Sequence, residues 1–275
     1  MAKIAFVWYF DKASIVYPNW RDGLRAAIEE IAKKHTVQWY FDKQVPAQFD
    51  PYDAIIFWDD SNSGFFSQLS KYRCKKALCL TTMPQNFDNL KLLDAVYCES
   101  TPVYEAVKAS GVWAIKAFGT DTNFFTPGKV EKDIEYFYPA TFSPWKLQRD
   151  IAHLGKDLWC VGTVQPDGVA DLEACMKNNV HVEIGYFPAE KIKNYYQRAK
   201  KVIIPAVHGS ERTVLEAMSC NVFPIITNEE NVKAKSIIEE YVSEKGSNRL
   251  SLREFVIRHY SPDIYARQIL KGIGL

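Results

Sequence analysis

The sequence predicts an α/β protein of two Rossmann-like domains in succession, each a parallel sheet with helices on both faces. Three observations carry that expectation. Short apolar runs alternate with amphipathic helical stretches from Lys3 to Ala117, and the alternation restarts from Glu135 to Tyr241. The runs are continuously apolar rather than alternating, as in strands buried on both faces. Between the two series lies F-G-T-D-T-N-F-F-T-P-G-K-V-E-K-D (118–133), polar and broken at Pro127-Gly128, which reads as a linker. The expected domains are 1–127 and 128–275.

In the first series, Lys3 to Tyr9 reads as a buried strand. After a loop from Asp11 to Pro18 comes a helix from about Asn19, its plausible cap, to Lys34, with Leu24, Ile28 and Ile31 on one stripe. Strands follow at Thr36–Phe41, Ala54–Trp58, Ala77–Thr82, Ala95–Cys98 and Trp113–Ala117, with a short helix at Thr101–Ser110. In the second series the strands are Glu135–Tyr138, Asp157–Val161, His181–Ile184, Lys201–Ile204 and Asn221–Ile226. The helices open at Ser143-Pro144 and cover Ala170–Lys177, Ala189–Ala199, the stretch after Ser210, and Val232–Tyr241. A polar turn, Ser243–Ser251, precedes two closing helices, Leu252–His259 and Pro262–Lys271.

Composition narrows the function classes. With 47% hydrophobic and 24% charged residues the chain is an ordinary globular protein, and 275 residues can bury one large core or two modest ones. Thirty-four basic residues stand against 33 acidic ones, and the signs also balance within each half, so bulk charge makes no case for nucleic acid. The six cysteines form neither C-x-x-C nor a zinc pattern and read as reduced, buried thiols. No apolar run approaches the ~18 residues of a membrane span, and the N-terminus does not read as a signal peptide. A cytoplasmic protein is the expectation.

The chemistry concentrates in K-K-V-I-I-P-A-V-H-G-S-E-R-T-V-L-E-A-M-S-C-N (200–221). A buried strand breaks at Pro205, passes through His208-Gly209-Ser210, and enters a helix capped by Ser210, with Val214, Leu215 and Met218 facing a core. Strand, glycine turn and helix amino end together offer unpaired N–H groups to an anion. Arg212 and Thr213 add a charge and a hydroxyl, and Glu216, one turn on, suits the hydroxyls of a ribose. The plainer alternative is an ordinary loop, a cap and a solvated glutamate.

The same stretch resembles the donor-site signature of the GT-B glycosyltransferases, specifically glycosyltransferase family 4, which carries E-G-F-G-L-x-x-x-E-A-M-A-C-G. V-L-E-A-M-S-C-N (Val214 to Asn221) matches it closely. The resemblance places Glu216 on the glutamate that holds the ribose. It puts His208 at the glutamate that contacts the donor sugar, Gly209 on the first glycine, and Glu211 where the second would be. G-T-D-T-N-F-F-T-P-G (119–128) is similar to the family's interdomain hinge. In A-T-F-S-P-W-K, Lys146 falls on the lysine that binds the diphosphate, while Thr141 stands in place of an arginine, leaving Arg149 or Arg212 to replace its charge. G-Y-F-P-A-E-K-I-K-N-Y-Y-Q-R-A (185–199) is similar to the segment whose opening loop, here Tyr186, Phe187 and Pro188, meets the base; packing is the competing reading for Phe187.

Taken together, the resemblance implies two Rossmann-like domains facing a cleft, in the GT-B arrangement. The first would hold the acceptor and the second a nucleotide-diphosphate sugar, with the last helix (about 262–271) crossing back to the first. It implies a retaining transfer to an acceptor hydroxyl, with His208, Lys146 and Arg212 at the reacting end and Gly209, Ser210, Glu211 and Thr213 around the diphosphate. No metal or other cofactor is expected. Asp59-Asp60 is the nearest candidate metal pair, but neighbouring strand residues point to opposite faces; an acceptor-side role is the weaker reading. The loops Tyr17–Gly23 and Thr81–Gln85 are the other acceptor candidates, lying where strands end. Lys71–Lys76 reads either as plain solubility or as a contact for a membrane surface or phosphorylated acceptor. The alternatives are transfer to a modified nucleic-acid base and a degenerate binder of nucleotide sugars without transfer.

Overall fold

The structure, a computed structural model, describes residues 1–8, 21–41, 44–47, 51–80, 82–245 and 250–275. Tyr9, the loop Asp11–Pro18, Asn19 as a cap, Thr81 and most of the loop Tyr17–Gly23 lie outside the described residues. So does the middle of the turn Ser243–Ser251.

The chain forms two compact units, Met1–Gly119 with Tyr260–Leu275, and Thr120–His259. The first crossing precedes the expected 127 by eight residues, and hydrogen bonds explain why. Asp121 accepts from the N–H groups of Asn123 and Phe124 in its own turn. Arg253 Nη1 donates to the carbonyls of Phe125 and Ser219, and its Nη2 to that of Thr122. The segment after Thr120 is therefore part of the second unit. Gly119 stays with the first: a Cβ there would stand 2.6 Å from the carbonyl oxygen of Tyr260, where the chain returns.

In the first unit, β1 (Lys3–Val7), β2 (Thr36–Tyr40), β3 (Ala54–Asp59), β4 (Lys75–Leu80), β5 (Ala95–Cys98) and β6 (Ala114–Lys116) form a parallel sheet ordered β2-β1-β3-β4-β5-β6. Residues of odd and even register pack into separate cores, which is why the strands read as unbroken apolar runs. Ile4, Phe6, Ile56, Cys79 and Tyr97 lie on one face; Ala5, Val7, Ile55, Phe57, Leu78 and Val96 lie on the other.

Helix α1 (Gly23–Ala32) covers the first face. Its cap is Asp22, whose carboxylate accepts from the Leu24 N–H at 2.7 Å. A 3-10 segment, Gly64–Lys71, and the short helix α2 (Phe87–Leu90) fill connections that the sequence pattern leaves as loops, and α3 (Thr101–Ala109) packs on the second face. Lys75 is paired with Asp94 at 3.0 Å, and the Lys76 ammonium turns onto the carbonyls of Tyr72 and Cys74. The basic run Lys71–Lys76 is thereby partly neutralised within its own unit.

The second unit contains β7 (Ile134–Pro139), α4 (Gln148–Ile151), β8 (Leu158–Gly162), α5 (Val169–Lys177), β9 (His181–Ile184), α6 (Ala189–Arg198), β10 (Ala199–Ile204), α7 (Glu211–Ser219), β11 (Phe223–Ile226), α8 (Val232–Lys245) and α9 (Leu252–Tyr260), whose last residue counts with the first unit. Its sheet is parallel throughout, in the order β11-β10-β7-β8-β9. The order reverses between β7 and β10, and in open parallel sheets ligands settle at the carboxyl ends of the strands flanking that reversal.

The last helix, α10 (Pro262–Gly272), belongs to the first unit. It lies against α1 and β5, buries Tyr265 and Ile269, and accepts a 2.6 Å hydrogen bond from Tyr97 Oη at the Ile269 carbonyl. Burying two such side chains is worth about 1.5–3 kcal/mol each. Five of the six cysteines are buried, and all six are free thiols. Among the described residues no helix is long and apolar enough to cross a membrane.

Candidate functional site

Two loops leave the sheet at the reversal point of the second unit: 140–147 after β7 and 205–210 after β10. The 140–147 loop is a turn rather than the helix opening expected at Ser143-Pro144. The Lys146 N–H bonds to the Ser143 carbonyl, and Leu147 takes a left-handed conformation (φ 53°) that ends any helical run before α4 begins. Gly162 and Gly168 let the neighbouring chain lie against this loop. A Cβ at Gly162 would stand 2.3 Å from the Ala140 carbonyl oxygen, and one at Gly168 2.1 Å from that of Phe142. Ser143 is buried, and its hydroxyl has no hydrogen-bond partner.

The 205–210 turn carries two successive left-handed residues, Gly209 (φ 74°) and Ser210 (φ 76°). A cap residue normally has extended backbone, and Ser210 makes no side-chain cap. Its hydroxyl instead accepts from the Lys146 ammonium at 3.2 Å, and the same ammonium reaches the His208 carbonyl at 3.4 Å. A Cβ on Gly209 would lie 3.1 Å from Lys146 Nζ, so glycine serves both the backbone angle and the lysine's approach. A non-glycine residue held left-handed costs on the order of 1–2 kcal/mol, a strain of the kind found at binding turns. Ser210 keeps its helical role only through its carbonyl, which accepts the first bond of α7 from Val214 N–H. The N–H groups of Glu211, Arg212 and Thr213 precede that bond and have no carbonyl within the helix to receive them.

Around this turn the charges are close set. Burial holds the Lys146 ammonium below its ordinary value; Glu211 opposes the shift and Lys233 adds to it. Partial burial lowers the His208 imidazole as well, and Lys146 and Lys233 lower it further, against Glu211. The imidazole is therefore neutral at pH 7, and its ring lies near Trp145 at 6.2 Å between centroids. Glu211 is buried and pairs with Lys233 at 3.0 Å. Asn231, also buried, donates from Nδ2 to the carbonyls of Ala206 and Gly209 at 3.0 Å each, fastening the turn to the start of α8.

The structure thus brings Lys146, His208, Gly209, Ser210 and Glu211 together. Arg212 is exposed and Thr213 half-buried in the first turn of α7. Glu216 is buried one turn on and accepts from Tyr196 Oη at 2.9 Å; burial, then the Glu216 charge, keeps that phenol protonated and donating.

Other candidates lie further out or are committed elsewhere. Thr141 shares a hydroxyl contact of 2.9 Å with Thr163. Arg149 is half-exposed beside Asp171, Nε to Oδ1 3.6 Å, which assigns its charge to α5. Tyr186, Phe187 and Pro188 follow β9, two strands from β7 and so about 10 Å along the sheet. Tyr186 is exposed, while Phe187 lies under the Lys191 ammonium at 4.4 Å, a local packing role.

In the first unit, Asp59 ends β3 and Asp60 follows it, beside the order reversal between β1 and β3. Both act within their own loop. Asp59 accepts from Ser63 Oγ at 2.5 Å and from the Asp60 N–H at 2.9 Å; Asp60 accepts from the Asn62 N–H at 2.7 Å. Among the described residues no group of three or more His, Cys, Asp or Glu could hold a metal ion.

Sequence reasoning missed Lys233, Asn231, Ser143 and Tyr196. The one signal for Lys233 was chemical: a glutamate at the buried start of α7 requires a cation. An open depression of about 680 Å³ lined by Trp159, Met176, His181 and Ile184 at the edge strand β9 shares no residue with the turn.

No family model matches the chain, and no curated protein matches it. Solved structures do. AviGT4, a glycosyltransferase involved in avilamycin A biosynthesis, is similar over 100% of this chain and 97% of its own, at 13% identity and a TM-score of 0.68. The DNA-modifying enzyme β-glucosyltransferase, solved in the presence and absence of uridine diphosphoglucose, is similar over 99% of this chain and 100% of its own, at 14% identity and a TM-score of 0.58. MnaA of S. aureus, solved with UDP, is similar over 99% of this chain and 96% of its own, at 10% identity and a TM-score of 0.55. At these identities the likeness is one of fold: the chain has the GT-B class of two Rossmann-like α/β units.

Proposed function

We propose that the protein is a glycosyltransferase that takes its sugar from a nucleotide-diphosphate donor, with the diphosphate seated between Lys146 and the amino end of α7. The observation that carries this reading is the Lys146 ammonium folded onto the left-handed turn at the sheet's reversal point. There a partly desolvated cation, the amino end of α7 and a turn of two left-handed residues stand together, the setting in which backbone N–H groups and a positive charge receive an anion. Leaving-group charge develops on the diphosphate as the glycosidic bond breaks. Fixed donors in a desolvated turn stabilise that charge with little reorganisation. Lys146 supplies the nearest charge, the α7 N–H groups supply dipoles, and Arg212 supplies a second, exposed charge.

Neutral His208 can exchange hydrogen bonds with a sugar hydroxyl or a phosphate oxygen. Glu216, oriented by Tyr196, receives the ribose, and Tyr186 to Pro188 border the base. Transfer with retention to an acceptor hydroxyl is the finer form of the proposal, by the resemblance to glycosyltransferase family 4. The acceptor is assigned to the first unit, at the loop bearing Asp59 and Asp60. The balanced charge of the chain favours a neutral acceptor over a nucleic acid.

A thermal-shift panel of uridine, guanosine, adenosine and thymidine diphosphates and their sugars tests the reading, followed by transfer and hydrolysis assays with the species that bind. At least one diphosphate is expected to raise the midpoint, and Glu216→Ala to remove the shift. A panel without any shift contradicts the proposal. Binding without turnover on any acceptor would reduce the protein to a nucleotide-sugar binder.

A further inference from the structure

We propose that Lys233 is a second diphosphate-binding cation of this site, held by Glu211 until the ligand arrives. The inference rests on the reading that the amino end of α7 receives a diphosphate, and it adds a residue that lies on a different element.

Four observations lead there. Lys233 is the second residue of α8, in its first turn, where the helix dipole disfavours a cation. Its placement therefore answers to something across from it rather than to its own helix. What lies across is Glu211, at 3.0 Å, with only 12% of the lysine side chain and 7% of the glutamate side chain exposed. Glu211 in turn is the first residue of α7, where the dipole favours an anion, so its carboxylate stands at the helix end where a ligand anion would gain most. Finally, Asn231, two residues before Lys233, bonds to the carbonyls of Ala206 and Gly209. That tie fixes the register of Lys233 against the turn that Lys146 touches. The shifts of Lys146 and His208, to both of which Lys233 and Glu211 contribute, agree that the four groups share one field.

The charge arithmetic gives the pair its function. A diphosphate brings at least two negative charges; Lys146 answers one, and Arg212, exposed in the first turn of α7, answers another only with its charge screened by solvent. Arg149 is turned to Asp171, and Thr141 carries no charge. In the empty protein Glu211 supplies a counter-charge to the buried Lys233 ammonium, and burying a cation without an anion beside it is strongly unfavourable. A phosphate oxygen arriving at the α7 amino end can share the ammonium with the carboxylate. Glu211 thus keeps the cation in place and, as a like charge beside the ligand, weakens the complex. A ligand with two phosphates reaches both lysines, whereas a monophosphate reaches one, so the pair favours nucleoside diphosphates over monophosphates.

The test is calorimetric titration of wild type and two variants with uridine, guanosine, adenosine and thymidine diphosphates, then with the matching monophosphate and nucleoside of whichever binds. Glu211→Gln/Lys233→Met replaces the ion pair by neutral side chains of similar size, so that no buried charge is stranded, and thermal midpoints verify folding. The double variant is expected to lose about tenfold in diphosphate affinity, to bind the nucleoside as before, and to lose most of the preference over the monophosphate. Glu211→Gln alone, which removes the carboxylate that competes with the ligand, is expected to tighten diphosphate binding severalfold. Diphosphate affinity that survives the double substitution, or that Glu211→Gln leaves unchanged or weakens, overturns the assignment while leaving the donor site standing. Wild type that binds none of the four diphosphates overturns both.

Discussion

Replacing Lys146 by methionine separates binding from folding at the proposed donor site. In the empty protein the ammonium makes two long hydrogen bonds, 3.4 Å to the His208 carbonyl and 3.2 Å to Ser210 Oγ, so the fold loses little with it. With a diphosphate present the same group would make a charge-assisted bond worth about 2–3 kcal/mol, which corresponds to ~30- to ~150-fold in affinity. Stability should move the other way. The folded-state value of Lys146 lies below its ordinary 10.5, so the unfolded chain holds the proton more tightly. At neutral pH the charged lysine therefore costs stability, and the cost disappears as pH rises through the lowered folded value. Lys146→Met should be as stable as wild type or more so at pH 7, and should lose the gain in stability that wild type shows on approaching pH 10.5. Titration calorimetry with the best diphosphate of the panel and thermal melts between pH 7 and 10 measure the two effects. A variant that binds the diphosphate as tightly as wild type refutes the placement of the ligand; one that melts well below wild type refutes the reading of Lys146 as a ligand-binding rather than structural group.

Glu216→Ala leaves the buried Tyr196 hydroxyl without its acceptor and should cost about 1–3 kcal/mol of stability by chemical denaturation, alongside the loss of nucleotide binding. The lowered His208 value means that its contribution to stability is present above its ordinary 6.5 and is lost as pH falls through the lowered value. A bound diphosphate should reverse this by favouring the imidazolium. Nucleotide-sugar affinity should therefore rise from pH 8 to pH 6, with proton uptake detectable by calorimetry in buffers of different ionisation enthalpy, and His208→Asn should flatten the profile. Gly168→Ala would drive a Cβ to 2.1 Å from the Phe142 carbonyl oxygen, so the loop bearing Lys146 must shift; a loss of about 1–3 kcal/mol and weakened diphosphate binding are expected together. Tyr97→Phe removes the 2.6 Å bond to the Ile269 carbonyl and should lower stability by about 0.5–1.5 kcal/mol without touching nucleotide affinity.

The sheets were legible in the sequence because their strands are buried on both faces: Ile4 to Val7 and Ile55 to Phe57 alternate between two cores, so every position is apolar. Elements set by local hydrogen bonding were harder to see. Asp22 caps α1, and the left-handed Leu147 replaces the helix start expected at Ser143 with a turn; neither follows from hydrophobic period. Ser210 shows the same limit within the site. Its residue type suits a cap, yet Lys146, 64 positions away, draws its hydroxyl off, which no local pattern encodes. The resemblance puts Lys146 on a diphosphate-binding lysine, but neither it nor the spacing carries the approach of that ammonium to the glycine turn. The buried glutamate at the start of α7 called for a cation without saying which, because Lys233 sits 22 residues later on another helix. The boundary at Gly119 escaped because Pro127-Gly128 is the more conspicuous break, whereas the side chains of Asp121 and Arg253 decide where the second unit begins.

The most direct test of the donor site is a crystal structure of the protein with whichever nucleoside diphosphate stabilises it. The expected result has phosphate oxygens within hydrogen-bond reach of Lys146 Nζ and of the N–H groups of Glu211 to Thr213, with the ribose hydroxyls on Glu216. A nucleotide bound at any other place on the second unit, with Lys146 still closed on Ser210, would contradict the account.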